Sequence, residues 1–146
     1  MIQAPLSLMA AILADCDRRR PEEACGLLFG AAGGPPEQWA RSVAADNVWP
    51  DAAERTTRYA IDPLVQMRAE RQAVADGLDL VGFYHSHPQG PAVPSGFDLD
   101  RAWPSYVYLI VGYADPAALS RPVPRAWALD AAGTFVEHPI QTLDHP

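Results

Sequence analysis

The middle of the chain carries two histidines, a serine and an aspartate at a short and regular spacing. His85 and His87 follow Tyr84 and the apolar run at 80–83, and Ser95 and Asp98 come shortly after them. Because residues two apart on a strand point to the same face, both imidazoles can reach one ion without strain. Two neutral imidazoles and one carboxylate form the three-protein-ligand set of catalytic zinc, whose fourth position is left for water. We therefore predict that His85, His87 and Asp98 bind one zinc ion.

Each part of this segment also has a simpler interpretation. A lone histidine is more often a surface or core residue than a metal ligand. Ser95 and Asp98 also match the S-x-x-D form of a capping box, in which the serine caps a helix and the acid accepts the serine N–H. On these two residues alone the cap is the favoured interpretation. The two roles are compatible, since a carboxylate has two oxygens, and the spacing of the whole segment favours the metal site.

The composition predicts one folded domain over residues 1–146. Hydrophobic residues make up 49% of the chain and charged residues 20%, as in ordinary globular proteins. The net charge of −7 argues against nucleic acid, whose binding depends on phosphate neutralisation by Lys and Arg. No apolar run reaches the roughly 20 residues of a membrane span, and the first residues lack the pattern of a signal peptide. We therefore expect a cytoplasmic protein that binds neither nucleic acid nor membrane.

The hydrophobic pattern predicts a chain that mixes helices and strands. Helices are expected at 6–20, 63–76 and 95–102, and strands at 22–30, 38–48, 58–61, 80–84, 106–113, 123–131 and 134–138. The tail from Pro139 is expected to be peripheral. This order gives a mixed β-sheet flanked by helices, α/β in class or α+β by a strict definition. Ligand sites in such sheets lie at the carboxyl ends of strands, where His85 and His87 stand.

Apolar and sulfur-containing side chains predict where the helices pack. In the first helix, the i, i+3, i+4, i+7 rhythm predicts a core face made of Leu6, Met9, Ala10, Leu13 and Cys16. In the second helix, one side is formed by Leu64, Met67 and Val74. Cys16 and Cys25 are interpreted as reduced, buried thiols, and for Cys25 packing is favoured over a nucleophilic role. His138 and His145 are interpreted as surface residues.

The complete pattern resembles the JAMM, or MPN-plus, metallopeptidases. That family carries an upstream glutamate and then H-[ST]-H, seven residues, S, two residues and D. Here the stretch 85–87 is His-Ser-His, followed by seven residues, then Ser95, two residues and Asp98. The stretch 21–30, which contains Glu23, is similar to the glutamate strand of the family. The chain looks most like the compact bacterial members, and the resemblance implies the MPN/JAMM fold, which is related to the cytidine deaminase-like fold.

The resemblance implies a role for each residue of the motif. It implies that His85, His87 and Asp98 bind one Zn²⁺ per chain. Ser95 aligns with the hydroxyl that stabilises the tetrahedral oxyanion, a contribution of about 3 kcal/mol in comparable sites. Ser86 is expected to be structural.

The resemblance also implies a general base upstream of the motif. Glu23 aligns with the glutamate that takes a proton from the zinc-bound water and later passes it to the leaving amine. Glu22 is its rival, because adjacent side chains on a strand face opposite ways and only one of them can face the metal. The family pattern selects Glu23.

The function that the resemblance implies is that of a zinc metallopeptidase, of the deubiquitinase-like isopeptidase type. Bacterial members are linked to ubiquitin-like sulfur-carrier proteins, so the expected reaction is amide hydrolysis after a C-terminal Gly-Gly. The released group is left open between cysteine, a short peptide and a conjugated lysine. The alternative is a non-catalytic MPN-type scaffold that binds a partner protein. A zinc deaminase is disfavoured, because its H-x-E and P-C-x-x-C motifs are absent.

Overall fold

Helices and strands alternate along the chain. The computed structural model describes residues 1–113 and 121–144. Their elements are β1 (Ile2–Pro5), α1 (Leu6–Arg19), β2 (Cys25–Ala31), β3 (Arg41–Ala45), a 3₁₀-helix (Ala52–Thr56), α2 (Pro63–Ala75), β4 (Leu78–His87), α3 (Gly96–Arg101), β5 (Val107–Tyr113), β6 (Pro122–Leu129), β7 (Phe135–His138) and β8 (Ile140–Leu143). None of the described helices is long and apolar enough to cross a membrane.

The main sheet is mixed and has β4 near its centre. Its strand order is β3-β2-β4-β5-β6-β7. β4 pairs antiparallel with β2 and parallel with β5, while the other neighbours are antiparallel. The parallel pair requires a crossover, and α3 lies in that connection. The carboxyl end of β4 therefore opens onto the crossover, and the predicted mixed sheet flanked by helices is confirmed.

The two long helices cover opposite faces of this sheet. α1 belongs to a buried cluster that contains Leu28, Tyr84 and Leu109. α2 packs into a second cluster with Leu27 and Phe29. Successive residues of β2 thus enter different cores, which explains why this strand is apolar without alternation. The histidine strand β4 is held in the same two-sided core.

Several strand bounds differ from the prediction. β4 runs from Leu78 to His87, so both histidines belong to the strand rather than to the loop after it. The segment 58–61 is irregular, and its polar backbone groups bond to the Asn47 side chain instead of to a neighbouring strand. The tail from Pro139 is not peripheral, because β8 pairs in parallel with β1. Both of these strands have only four residues, too few for a periodic signal.

The predicted helix faces are wrong in detail. The buried apolar residues of α1 are Leu8, Met9, Ile12 and Cys16, and the predicted Leu6 is 52% exposed. The buried face is shifted by about one residue toward the N-terminus, so Leu8 and Ile12 turn inward, while Ala10 is exposed and Leu13 is only partly buried. In α2 the predicted residues Leu64, Met67 and Val74 are 46%, 42% and 68% exposed. Small residues, Ala69 and Ala73, make the contact instead and allow α2 to lie close to the sheet.

Candidate metal centre

Three donor atoms converge at the carboxyl end of β4. His85 Nε2 lies 3.2 Å from His87 Nε2 and 3.1 Å from Asp98 Oδ1, and His87 Nε2 lies 3.2 Å from Asp98 Oδ2. A tetrahedral ion bound at about 2.0–2.1 Å separates its donors by roughly 3.3 Å. The three side chains predicted as ligands are thus brought together at the spacing that a single metal ion requires, and they can hold one.

The hydrogen bonds of the two imidazoles fit a cation between them. His87 Nδ1 lies 2.9 Å from the carbonyl oxygen of Pro91, which can only accept, so Nδ1 carries a proton and the neutral form of the ring presents its lone pair at Nε2. The Nδ1 atom of His85 is buried and has no hydrogen-bond partner among the described residues. When both rings are neutral and present their Nε2 lone pairs, a cation between them binds both nitrogens and the Asp98 carboxylate at once. The donor set therefore suits a divalent metal ion.

The charges of the cluster follow from burial and from the contacts between its members. Burial lowers the pKa of His85 and favours the neutral, ligating ring. Burial opposes charge on His87 as well, but the Asp98 carboxylate and the Pro91 carbonyl raise its pKa. Burial also opposes charge on Asp98, yet in the metal-free protein hydrogen bonds donated by the protonated Nε2 atoms of both imidazoles hold the pKa of this carboxyl well below its usual range. Asp98 is therefore ionised at neutral pH.

Asp98 is positioned by the start of α3. The Ser95 hydroxyl accepts the Asp98 N–H at 3.1 Å, and the Asp98 carboxylate accepts the Ser95 N–H at 2.9 Å. This is the reciprocal capping box that the sequence suggested. The same carboxylate faces both imidazoles, so in this structure the cap orients the acid toward the histidines.

Contacts with distant strands hold the loop between His87 and Ser95. Gly112 lies beneath this loop, and a Cβ atom there would come within 2.2 Å of the Ala92 nitrogen. The Tyr113 N–H donates to Gly90 O at 2.8 Å, and the Trp127 indole donates to Ala92 O at 3.0 Å. Sequence reasoning missed these anchors. A glycine inside the otherwise apolar strand β5 was the available signal for a close backbone approach.

Glu23 lines the same groove as the donor residue His87. Its side chain is buried, with 6% exposure, and it lines a groove of about 380 Å³ together with His87 and Ser95. Burial raises the pKa of Glu23 to about 8, the nearby Asp98 carboxylate acts in the same direction, and His87 and Arg58 oppose the shift. The structure thus places a carboxyl that can exchange protons near neutral pH beside the donors.

Ser86 brings the glutamate segment beside the histidine strand. Its hydroxyl is buried and accepts the Ala24 N–H at 2.8 Å, and its own N–H donates to Ala24 O at 3.1 Å. These bonds continue the β2–β4 pairing, in which Cys25 stands opposite His85. Glu22, the rival for the base, is partly exposed and does not line the groove.

The segment 55–60 forms another wall of the groove, which its residues 56–58 line. Thr57 and Arg58 line the groove, and the Tyr59 ring stacks on the His85 imidazole with 4.7 Å between ring centroids. The Arg58 guanidinium lies 4.5 Å from the Phe97 ring centroid on α3. This wall therefore contacts both the histidine strand and the helix that carries Asp98. Sequence reasoning predicted a polar loop up to Thr57 and a strand at 58–61, and it did not identify the contacts of Arg58 and Tyr59.

The two cysteines and His138 lie outside the centre. Cys16 and Cys25 are free and buried, as predicted. Burial raises the pKa of Cys25 to about 12, so the thiol stays protonated and is a poor nucleophile. His138 is partly exposed at the end of β7. His145 lies outside the described residues.

The sequence is similar to a known protein family and to several of its characterised members. A model of the prokaryotic homologues of the JAB domain matches residues 5–130. A desampylase of Haloferax volcanii is 45% identical over 92 residues, 62% of this chain and 62% of the relative, so the match spans less than two-thirds of that relative. A probable TtuB-protein conjugate cleaving protease of Thermus thermophilus is 33% identical over 77% of this chain and 70% of the relative. A CysO-cysteine peptidase of Mycobacterium tuberculosis is 31% identical over 94% of this chain and 88% of the relative.

Solved structures share the architecture. A protein of Desulfitobacterium hafniense, 29% identical, superposes with a TM-score of 0.81 and covers 99% of this chain and 94% of its own. A JAB1/MPN domain protein of Archaeoglobus fulgidus, 19% identical, has a TM-score of 0.56 and covers 96% and 98%, a likeness of fold alone. The predicted fold and the predicted family are both confirmed. Since the family model spans residues 5–130, the chain belongs to the prokaryotic homologues of the JAB domain, within the JAMM/MPN family.

Proposed function

We propose that this protein is a zinc-dependent peptidase that hydrolyses the amide bond after the C-terminal Gly-Gly of a ubiquitin-like or sulfur-carrier protein. The observation that carries the proposal is one groove lined by Glu23, His87 and Ser95, with the convergent donors of His85 and Asp98 at its side. Such a groove unites a metal site, a proton acceptor and a hydroxyl donor, which is the set of groups that amide hydrolysis needs.

The metal in this proposal is zinc. Two imidazole nitrogens and one carboxylate oxygen leave one position open, which is the ligand pattern of catalytic zinc sites. A bound zinc ion supplies Lewis acidity, which polarises an amide carbonyl and acidifies water. His85, His87 and Asp98 would hold it, and the Pro91 carbonyl and the Ser95 N–H would fix the orientation of two of these ligands.

Glu23 is the general base of the proposed reaction. Burial raises the pKa of Glu23 to about 8 in the metal-free protein, and a divalent ion in the neighbouring site would lower this pKa, so that the carboxylate form is available as a base at neutral pH. The carboxylate takes the proton from the attacking water. The resulting carboxylic acid then gives this proton to the leaving amine, so the base is restored for the next turnover.

Ser95 is the oxyanion donor of the proposed reaction. Its oxygen accepts the Asp98 N–H, so its own O–H is free to point into the groove. A hydroxyl held in place by a helix cap can donate to the oxyanion without reorganising during the reaction. The capping hydrogen bond thus orients the Ser95 hydroxyl for its proposed catalytic role.

The names of the relatives support the class of substrate. One relative is named for cleaving TtuB-protein conjugates, and another is named a peptidase of CysO-cysteine. Both names describe cleavage at a bond between a carrier protein and another group. A Gly-Gly terminus would suit the groove, because it presents an amide bond without neighbouring side chains to the wall at 56–58. Cytoplasmic localisation stays a prediction from the sequence.

The test is to incubate the zinc-loaded protein with Gly-Gly-ending carriers and to identify the products by mass. Three fusions carry cysteine, a short peptide or an isopeptide-linked lysine after Gly-Gly, and a matched set ends in Ala-Ala. We expect cleavage after Gly-Gly in at least one fusion and its loss on chelation. Absence of stoichiometric zinc together with no cleavage would favour the scaffold alternative. Equal cleavage of the Ala-Ala set would reject the Gly-Gly requirement.

A further inference from the structure

We propose that Asn47 is a positioning residue for Glu23, because its side-chain amide ties the Glu23 backbone to the groove wall at 55–60. The inference rests on the proposed function, since it names a residue that acts through the proposed base. Asn47 does not line the groove and belongs to no donor set. It acts only through the residues that it holds.

The Asn47 amide uses both of its ends. Its Nδ2 donates to Glu23 O at 3.1 Å, to Arg58 O at 2.9 Å and, at 3.5 Å, to Arg55 O. Its Oδ1 accepts the Trp49 N–H at 3.1 Å and the Ala60 N–H at 3.3 Å. A flipped amide would set N–H groups against N–H groups and oxygen against oxygen, so the surrounding backbone fixes one orientation.

Strand register explains why this side chain is needed. In the β2–β3 pair, Cys25 stands opposite Ala45, and the ladder ends there. Continued by two residues, the same register places Asn47 opposite Glu23. No strand is assigned at either position, so sheet hydrogen bonds do not hold Glu23. The Asn47 side chain supplies the missing bond to Glu23 O, and Arg55 O accepts the Glu23 N–H at 2.8 Å.

The Glu23 N–H and C=O groups are therefore held by Arg55 and Asn47 and not by hydrogen bonds of the sheet. The next residue, Ala24, is fixed by Ser86 on the histidine strand. Glu23 thus stands at the junction of a rigid strand and a loop, and Asn47 is the side chain that joins them. A displacement of the order of 1 Å between reacting groups can lower a rate by about 100-fold. Loss of the Asn47 hydrogen bonds should therefore lower kcat.

The primary test is Asn47→Asp, which keeps the shape and the acceptor but removes both N–H donors and faces a carboxylate toward carbonyl oxygens. With the cleaved fusion as substrate, we expect kcat to fall at least 10-fold, with KM within about 3-fold and zinc content equal to wild type. The uncharged variant Asn47→Ala should also lower kcat while KM and zinc content stay near wild type. It provides the test if Asn47→Asp does not fold. The matched control is Asp51→Ala, which removes the cap of the 3₁₀-helix in the same loop without touching Glu23. It should leave kcat within about 2-fold.

Two readouts separate positioning from general loop damage. In a Glu23→Gln background, Asn47→Asp should cause no further loss of the residual rate, because the base through which it acts is already gone. In metal-free protein, amide hydrogen exchange at Glu23 should quicken in Asn47→Asp, while Leu27 in β2 stays protected. Wild-type kcat in both Asn47 variants, or an additive loss in the Glu23→Gln background, would overturn the proposal. If wild type cleaves no fusion, the proposed function fails, and unchanged exchange at Glu23 would still reject the role of Asn47.

Discussion

The two sides of the groove are held together in different ways. On the donor side, His85, His87 and Asp98 lie within one short segment, and the capping box and the Pro91 carbonyl that orient them belong to the same segment. On the base side, Glu23 depends on contacts with Arg55, Asn47 and the histidine strand, all far away in sequence. The donors of the proposed metal site thus come from one segment, although β5 and β6 anchor its loop, whereas the proposed base comes from a separate segment that only the fold brings near.

This difference has a consequence for how the two sides respond to mutation. A change on the donor side should remove the metal and the activity together. A change on the base side should leave the metal in place and affect only the proton transfers. Variants of His87 and Glu23 separate these outcomes, and each of the two has a control residue of the same type.

His87→Ala should have the largest effect. It removes one of three donors and the hydrogen bond to the Pro91 carbonyl, so the remaining pair cannot hold the ion in place. We expect loss of stoichiometric zinc by elemental analysis and a fall in kcat/KM on the order of 1,000-fold or more. The control is His138→Ala at the end of β7, which should keep both. Retention of zinc and activity in His87→Ala would reject the donor assignment.

Glu23→Gln should separate the base side from the donor side. The amide keeps the size of the side chain but cannot accept the proton, and general base catalysis is typically worth about 100- to 10,000-fold. We expect kcat to fall by this factor while zinc content stays at the wild-type level. Glu22→Gln, one position away and outside the groove, should leave kcat unchanged. The base assignment is wrong if the two variants lose activity equally.

The same division explains what could be predicted from sequence. The spacing of His85, His87, Ser95 and Asp98 predicted the cluster that the structure brings together, because β4, the loop and the cap of α3 follow one another along the chain. From the residues alone, Glu23 could not be paired with this cluster. Only the resemblance to a family linked it to the histidines.

The unpredicted parts share a physical cause, which is that they depend on contacts between distant segments. Gly112 matters because the loop after His87 crosses it, and Asn47 matters because it stands where the β2–β3 ladder stops. The exposed apolar side of α2 misled the prediction for a related reason. Helical periodicity indicates which residues share a face of the helix. Which face packs on the sheet depends on how close the helix lies, and here the face with Ala69 and Ala73 makes the contact.

Ser95 variants should show an intermediate effect and divide the helix cap from the proposed oxyanion role. Ser95→Ala removes both, so we expect kcat to fall about 100-fold, from a donor worth about 3 kcal/mol, and stability to fall by about 1 kcal/mol. Ser95→Gly removes the hydroxyl, but glycine is a tolerable N-cap that costs only a few tenths of a kcal/mol. It should lose activity like Ser95→Ala and unfold close to wild type. Normal turnover in Ser95→Gly would limit this residue to the cap.

The smallest expected effect is on the stability of the metal-free protein, measured in chelator by thermal unfolding at several pH values. Burial raises the pKa of Glu23 from 4.5 to about 8, so between these values the folded state binds more protons than the unfolded state. Stability is therefore fully retained below about pH 4.5 and falls as pH rises toward 8. Each unit of pKa corresponds to about 1.4 kcal/mol, so the total is a few kcal/mol. Glu23→Gln, which has no charge to bury, should match wild type near pH 4.5 and unfold at a higher temperature near pH 8. Parallel pH curves for the two proteins would show that Glu23 carries no burial cost, and a base held without such a cost would need another reason for its proton affinity.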